Sequence, residues 1–370
     1  MKKKNKKKRQ NNKKKAPQVE AQKTEVIVAE KTFKEKLKEH FLKYRQPYVI
    51  GTIMVGWFLL LLIFATAGKK APYSNVAFKI GSLEIAWYAV FILTGAVFAI
   101  ILAYREAFFL NMNREHLVDG GLIGILVGII GARLYYVIFR SVGGFKEIFN
   151  LRGGGLAIHG AVIVGIIYAI IYTKIRKMDL FQLLDLLAVG FLVGQIVGRW
   201  GNFMNQEAHG GPMSANAQQV LSVILPNFIY NNMIIDGVVY HPTFLYESLW
   251  NFVGLILLLI IRRKRIFKVG DMMGLYLMWY GLGRGLLIEP FRTDPLLFVE
   301  SAGMGNIFNR VNVVFSLTLF LIGGLLYIIV KNKIKPDIPY YYDVVLENKE
   351  EALYLLSKEG RQKRREEKNK

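Results

Sequence analysis

Residues 243–261 read TFLYESLWNFVGLILLLII, an apolar run whose one charged group is Glu247. A helix needs about 20 such residues to cross the hydrocarbon of a bilayer. Seven further runs of this kind occur: Tyr48–Ala67, Leu83–Leu102, Gly121–Phe139, Gly155–Tyr172, Leu183–Arg199, Met272–Glu289 and Val311–Val330. Glycine is frequent within them, as expected where helices pack closely in lipid. The pattern predicts an all-α integral membrane protein with eight transmembrane helices.

Charge is distributed to match. The chain of 370 residues has a formal net charge of +22 and is 53% hydrophobic. Residues 1–45 alone hold 17 Lys/Arg and 5 Asp/Glu, and the tail from 331 to 370 holds 11 and 8. A soluble basic nucleic-acid binder would not concentrate its charge at the ends and strip it from the middle. No nucleic-acid partner is therefore expected. Cysteine is absent, which excludes disulfides, thiolate metal sites and a cysteine nucleophile. No metal-type His/Asp spacing occurs, and no cofactor is expected.

Lys and Arg in short loops set orientation. With the N-terminus in the cytoplasm, the inner connections carry Arg105 and Arg114; Lys174, Arg176 and Lys177; and Arg262, Arg263, Lys264, Arg265 and Lys268. The tail from Lys331 is then also inside. Residues 201–242 fall outside as a small head and hold no Lys or Arg. Ala65-Thr66-Ala67 resembles a signal-peptide cleavage site, but the charged leader is too long and the apolar run exceeds a signal core, so an anchoring helix is expected. Phe33, Leu37, Phe41 and Tyr44 recur at helical spacing among lysines, which suits an amphipathic helix over 31–45 on an anionic inner leaflet.

Ionisable groups inside spans are costly and mark candidate sites. Here they are Arg133, His159, Asp185, Arg199, Glu247, Arg284 and Glu289. All but Asp185, which reads as structural, fall in the outer half of the bilayer, as do Tyr88, Asn202, His241, Tyr246 and Tyr280. Taken singly, each arginine is as well explained by pairing with Glu247 or Glu289, and His159 by a helix–helix hydrogen bond. Their common depth points instead to an anion site. Several guanidiniums at headgroup level suit a lipid phosphate, and a nearby His can take a proton. These features alone leave open a transferase acting on phospholipid, a phospholipid transporter, a lipid-binding protein and a scaffold.

The stretch Gly198-Arg199-Trp200-Gly201-Asn202-Phe203-Met204-Asn205-Gln206-Glu207 resembles the signature of bacterial prolipoprotein diacylglyceryl transferases. Further segments resemble that family in the same order: Ala86-Trp87-Tyr88, Gly131-Ala132-Arg133-Leu134, Gly154-Gly155-Leu156-Ala157-Ile158-His159-Gly160, His241-Pro242-Thr243-Phe244-Leu245-Tyr246-Glu247, and Tyr280-Gly281-Leu282-Gly283-Arg284 followed by Glu289-Pro290-Phe291-Arg292. The similarity covers roughly residues 80–330. It implies a seven-helix core preceded here by an extra span over 48–67. It also implies transfer of the diacylglyceryl group of phosphatidylglycerol to the lipobox cysteine of a preprolipoprotein, in a bacterial cell membrane. Arg199 and Arg284 would hold the lipid phosphate, and His159 would act as base or thiol positioner. Tyr280 is a further catalytic candidate, and Tyr88, Arg133, Asn202, Glu207, Glu247 and Glu289, in the matching segments, are candidates for binding substrate. The nucleophile would come from the substrate.

Three departures stand out. Ala161 replaces the family's second glycine after the histidine, and Phe244 replaces a glutamine. Arg284 and Glu289 are five residues apart where the family has four. On a regular helix the extra residue turns Glu289 by about 100°. Either a π-bulge absorbs it or Glu289 has a different partner. The expected organisation is a basic arm over 1–47, the extra helix over 48–67, a membrane domain over 80–330 and a charged cytoplasmic tail over 331–370.

Overall fold

The computed structural model describes residues 45–140, 157–292 and 311–356. The chain divides into two units, residues 1–53 and 54–370. Of the first, the described residues form the opening turns of helix α1 (Arg45–Thr66). The expected amphipathic helix over 31–45 lies outside the described residues apart from Arg45, which begins α1. The second unit holds the rest of α1 and every other element.

After α1 come a β-ribbon of β1 (Val76–Ile80) and β2 (Leu83–Ala86), then α2 (Trp87–Phe109), α3 (Arg114–Arg140), α4 (Ile158–Arg176) and α5 (Leu180–Asn205). The head holds α6 (Ala215–Ile224), α7 (Asn227–Asn232) and the ribbon β3 (Ile234–Ile235) and β4 (Val238–Val239). Beyond the head lie α8 (Thr243–Ile261), α9 (Asp271–Leu282), α10 (Val311–Phe315), α11 (Gly323–Ile334) and α12 (Tyr341–Leu356).

Among the described residues, seven helices are long and apolar enough to cross a membrane. They begin with Tyr48–Thr66 of α1 and end with Val313–Ile334, which joins α10 and α11 through a π-helical stretch, Ser316–Ile322. The architecture is that of a mostly helical integral membrane protein. The run Met272–Glu289 departs from the expected single α-helix. It is α-helical to Leu282, π-helical over Gly283–Ile288 and 3₁₀ over Glu289–Phe291. The run Leu83–Leu102 is also corrected. Its first residues pair with β1 across Gly81, whose φ of +60° permits the tight turn, and the helix starts at Trp87 and continues to Phe109. The start of the run Gly155–Tyr172 lies outside the described residues.

Small residues let the helices approach, as lipid-embedded packing favours. Gly95 of α2 meets Gly194 of α5, Gly131 of α3 meets Gly160 of α4, and Gly274 of α9 meets Gly324 of α11. Helix α5 is central, with its buried side chains packed against α2 and α8. Trp200 and Phe203 of α5 lie edge-on or tilted to Phe244 of α8 at 5.2 and 4.7 Å. Phe244 thus belongs to an aromatic core. Phe58 of α1 adds to it, 5.4 Å from Trp200.

At the end of the bundle where α2 and α8 finish and α9 begins, polar side chains are consumed by structure. Asp185 accepts from the Gly270 and Met272 N–H groups at 2.6 and 3.0 Å, satisfying donors at the start of α9. Asp271 pairs with Lys331 at 2.7 Å. Glu106 pairs with Arg262 and Arg263 and accepts from Tyr341 Oη at 2.8 Å, which docks α12.

Candidate active site

The opposite end of the bundle holds a different polar group. Helix α5 ends on Gln206, left-handed at φ 50°, and the Glu207 N–H donates back to the Asn202 carbonyl at 3.1 Å. This is the Schellman pattern of helix ends. It brings Asn202 and Glu207 together, so that Asn202 Nδ2 donates to Glu207 Oε1 at 3.0 Å. Asn202 Oδ1 in turn accepts from Arg199 Nη1 at 3.3 Å. Asn232 of the head fixes this helix end, donating to the Phe203 carbonyl at 2.8 Å.

Arg199 also forms an ion pair with Glu247, in the first turns of α8. Glu247 is buried, and two further guanidiniums reach the same carboxylate. Arg284 Nη1 lies 3.4 Å from Glu247 Oε1, and Arg292 Nη1 lies 3.7 Å from it. Arg284 Nη2 lies 3.5 Å from Glu289 Oε2. Three guanidiniums, from Arg199, Arg284 and Arg292, therefore gather around the buried carboxylates of Glu247 and Glu289. Burial and the neighbouring Arg284 lower the pKa of Arg292 to about 10, so it stays charged at neutral pH.

The π-helical stretch explains how Arg284 and Glu289 share a face. The Glu289 N–H donates to the Arg284 carbonyl, five residues back. That bond makes the five-residue separation one turn, and the extra residue is absorbed as a π-bulge. The stretch is supported from the far side by the other π-helical segment: Gly281 and Gly285 abut residues 316–321.

Tyr88, at the start of α2, lays its ring and backbone against Gly201, beside Arg199 and Asn202. Tyr280 is partly buried, stacked on Tyr276 at 6.2 Å and edge-on to Phe320 at 5.0 Å. Arg133 is 2% exposed, and its guanidinium lies over the Tyr136 ring at 5.5 Å. His159 opens α4 on its exposed side, its ring 6.0 Å from Tyr135. So the structure joins Arg199, Asn202, Glu207, Glu247, Arg284 and Glu289 by direct contact. Tyr88 borders them, whereas Arg133 and His159 belong to the α3–α4 pair.

Arg292 closes the resembling segment Glu289-Pro290-Phe291-Arg292 but is not among the expected site residues, and the structure brings it to Glu247. Its position after Pro290 reads as a loop, and only the bridge to Gly210 folds it back onto the cluster. His241 is another neighbour. Its Nδ1 lies 3.2 Å from Tyr246 Oη and its ring 5.0 Å from that of Phe291, and burial lowers its pKa.

Guanidiniums gathered around a buried carboxylate present donors of the kind that a phosphodiester can also take bidentately. The family described as prolipoprotein diacylglyceryl transferase matches residues 75–329. A phosphatidylglycerol--prolipoprotein diacylglyceryl transferase of Listeria welshimeri is 42% identical over 276 residues, covering 74% of this chain and 94% of that protein. A protein of the same name from Bacillus cereus is 42% identical over 269 residues, covering 72% and 95%. Another from Oceanobacillus iheyensis is 43% identical over 234 residues, covering 62% and 81%. The match takes in every element that builds the arginine cluster, and the chain belongs to the prolipoprotein diacylglyceryl transferase family.

Proposed function

We propose that this protein transfers the diacylglyceryl group of phosphatidylglycerol to the lipobox cysteine of a preprolipoprotein signal peptide. A carbon–sulfur bond forms at the glyceryl carbon, and the carbon–oxygen bond to phosphate breaks. The bonding electrons leave with the phosphate, the product is glycerol phosphate, and the thiol proton passes to a base. The observation that carries the reading is the convergence of Arg199, Arg284 and Arg292 on Glu247.

In this reading the lipid phosphate enters the clamp of arginines and accepts hydrogen bonds from its guanidiniums. As the carbon–oxygen bond breaks, negative charge concentrates on the departing phosphate. The attraction of Arg199 and Arg284 then grows, so it acts in the transition state. Glu247 and Glu289 hold the guanidiniums in place beforehand. Asn202, Glu207 and Tyr88 border the clamp on the α5 side and Tyr280 lies one turn from Arg284, while Arg133 of α3 is a further candidate for contact with substrate. His159 takes the thiol proton or positions the thiol, since the thiolate is the attacking form. Apolar surroundings keep out water that would compete as acceptor.

Both termini face the cytoplasm and the clamp faces the outer leaflet of a bacterial cell membrane. The inside bias of Lys and Arg in the connections supports this. The basic arm over 1–47, the extra helix over 48–67, the membrane domain over 80–330 and the tail over 331–370 form the domain organisation. Residues 201–242 are its extracytoplasmic head, beside which the signal peptide docks. The test uses purified protein, phosphatidylglycerol and a lipobox peptide, with peptide mass as readout. A mass gain equal to one diacylglyceryl group is expected. No gain from folded protein with either substrate varied would refute the assignment.

A further inference from the structure

Helices α8 and α9 are joined by two tryptophans in reciprocal contact. The indoles of Trp250 and Trp279 stack with centroids 4.0 Å apart and planes 11° from parallel. Trp250 Nε1 donates to the Trp279 carbonyl at 3.2 Å, and Trp279 Nε1 donates to the Trp250 carbonyl at 3.2 Å. Each indole also lies against a glycine of the opposite helix, Trp279 on Gly254 and Trp250 on Gly283.

The two halves of this pair are not equivalent. Gly254 sits within the regular helix α8, but Gly283 is where α9 gives way to the π-helical stretch. There the Gly283 N–H is shared between the Trp279 and Tyr280 carbonyls, and Trp250 Nε1 also binds the Trp279 carbonyl. Trp250 lies one helical turn from Glu247 on the same face of α8. One face of α8 thus touches Gly283 through Trp250 and Arg284 through Glu247.

We propose that Trp250 is a positioning residue for the transfer reaction: seated on Gly283 and bonded to the Trp279 carbonyl, its indole fixes where the π-turn begins and so aims Arg284. The inference rests on the reading of Arg284 as a phosphate ligand. A displacement of about 1 Å at a reacting group is enough to cost up to about a hundredfold in rate.

The test compares Trp250→Phe with Trp279→Phe in the full-length protein, both checked for unchanged thermal unfolding in detergent. Each keeps an aromatic ring and loses one N–H. Trp250→Phe is expected to lower kcat about tenfold or more, and Trp279→Phe less than about threefold. In an Arg284→Lys background, Trp250→Phe is expected to add less than about twofold, because coupled residues are not additive. Equal losses in the two Phe variants, or full multiplication in the Arg284→Lys background, would overturn the proposal. Should Trp250→Phe not be recovered folded, Gly283→Ala replaces it, since its methyl must displace the indole; transfer at the wild-type rate there also overturns it. Transfer surviving in Arg284→Ala would instead refute the phosphate reading itself.

Discussion

Arg284 and Glu289 are linked twice, by a hydrogen bond from the Glu289 N–H to the Arg284 carbonyl and by side chains 3.5 Å apart. The backbone link is a π-turn, and such turns arise by insertion of one residue into an α-helix. Deleting Leu287, which is exposed and has no polar role, should restore a regular turn and keep the two side chains within about 40° of each other. Transfer is expected to persist within about threefold of wild type. Inserting an alanine at the same point should abolish it. Loss of transfer in a well-folded deletion variant would show that the bulge itself, and not the shared face, matters.

Arg199 and Arg284 approach the same buried carboxylate from α5 and from the π-turn. Each would supply charged donors to the leaving phosphate. Loss of a single such donor costs about 10²–10³ in kcat in comparable anion sites. Arg199→Ala and Arg284→Ala are therefore expected to fall by at least that much, with membrane insertion intact. Radiolabelled lipid transfer to a lipobox peptide measures it. Full activity in either variant would remove that arginine from the clamp.

His159 begins α4 on an exposed side, against Tyr135. A general base contributes about 10²–10⁴ to the rate, whereas a hydrogen-bond positioner can be replaced by an amide. His159→Gln is expected to lose transfer by about a hundredfold or more while phosphatidylglycerol binding is kept. Single-turnover rates with saturating lipid separate the two. A retained rate with Gln would assign His159 to positioning.

Much of the fold and of the arginine–carboxylate cluster is legible in the sequence because lipid imposes simple rules. Apolar length marks the spans, and charged residues within them stand out as candidates. The five-residue spacing of Arg284 and Glu289 signals a π-turn or a change of partner. Deciding between these requires the support that residues 316–321 give to Gly281 and Gly285, which no local pattern encodes. The strand Leu83–Ala86 is hidden because Leu83, Ile85 and Ala86 run on without a break into the apolar helix that starts at Trp87. Arg292 stands in a quoted segment, but its place beside Glu247 depends on the long-range bridge to Gly210, which no local pattern shows. Asp185 reads as structural from its depth alone, and its two backbone donors bear that out.

Among the described residues Glu106 is a second arginine-ringed carboxylate, and its replacement tests stability apart from transfer. Glu106 pairs with Arg262 at 3.3 Å and Arg263 at 2.5 Å, and Tyr341 of α12 closes over it. Its side chain is 3% exposed, so removal leaves Arg262 partly buried without its carboxylate. Breaking one partner out of a buried pair costs about 3–5 kcal/mol, and the lower end applies because Arg263 can turn to water. Glu106→Ala is thus expected to lower unfolding stability by about 3 kcal/mol while transfer per folded molecule stays the same. Glu247→Ala should do the reverse in emphasis, since Arg199, Arg284 and Arg292 would lose the carboxylate that orients them. Denaturant unfolding in detergent, measured beside the transfer assay, checks both. If folded Glu106→Ala protein lost transfer as well, the two ends of the bundle would have to be coupled, and the division between a bracing cluster and a working one would be wrong.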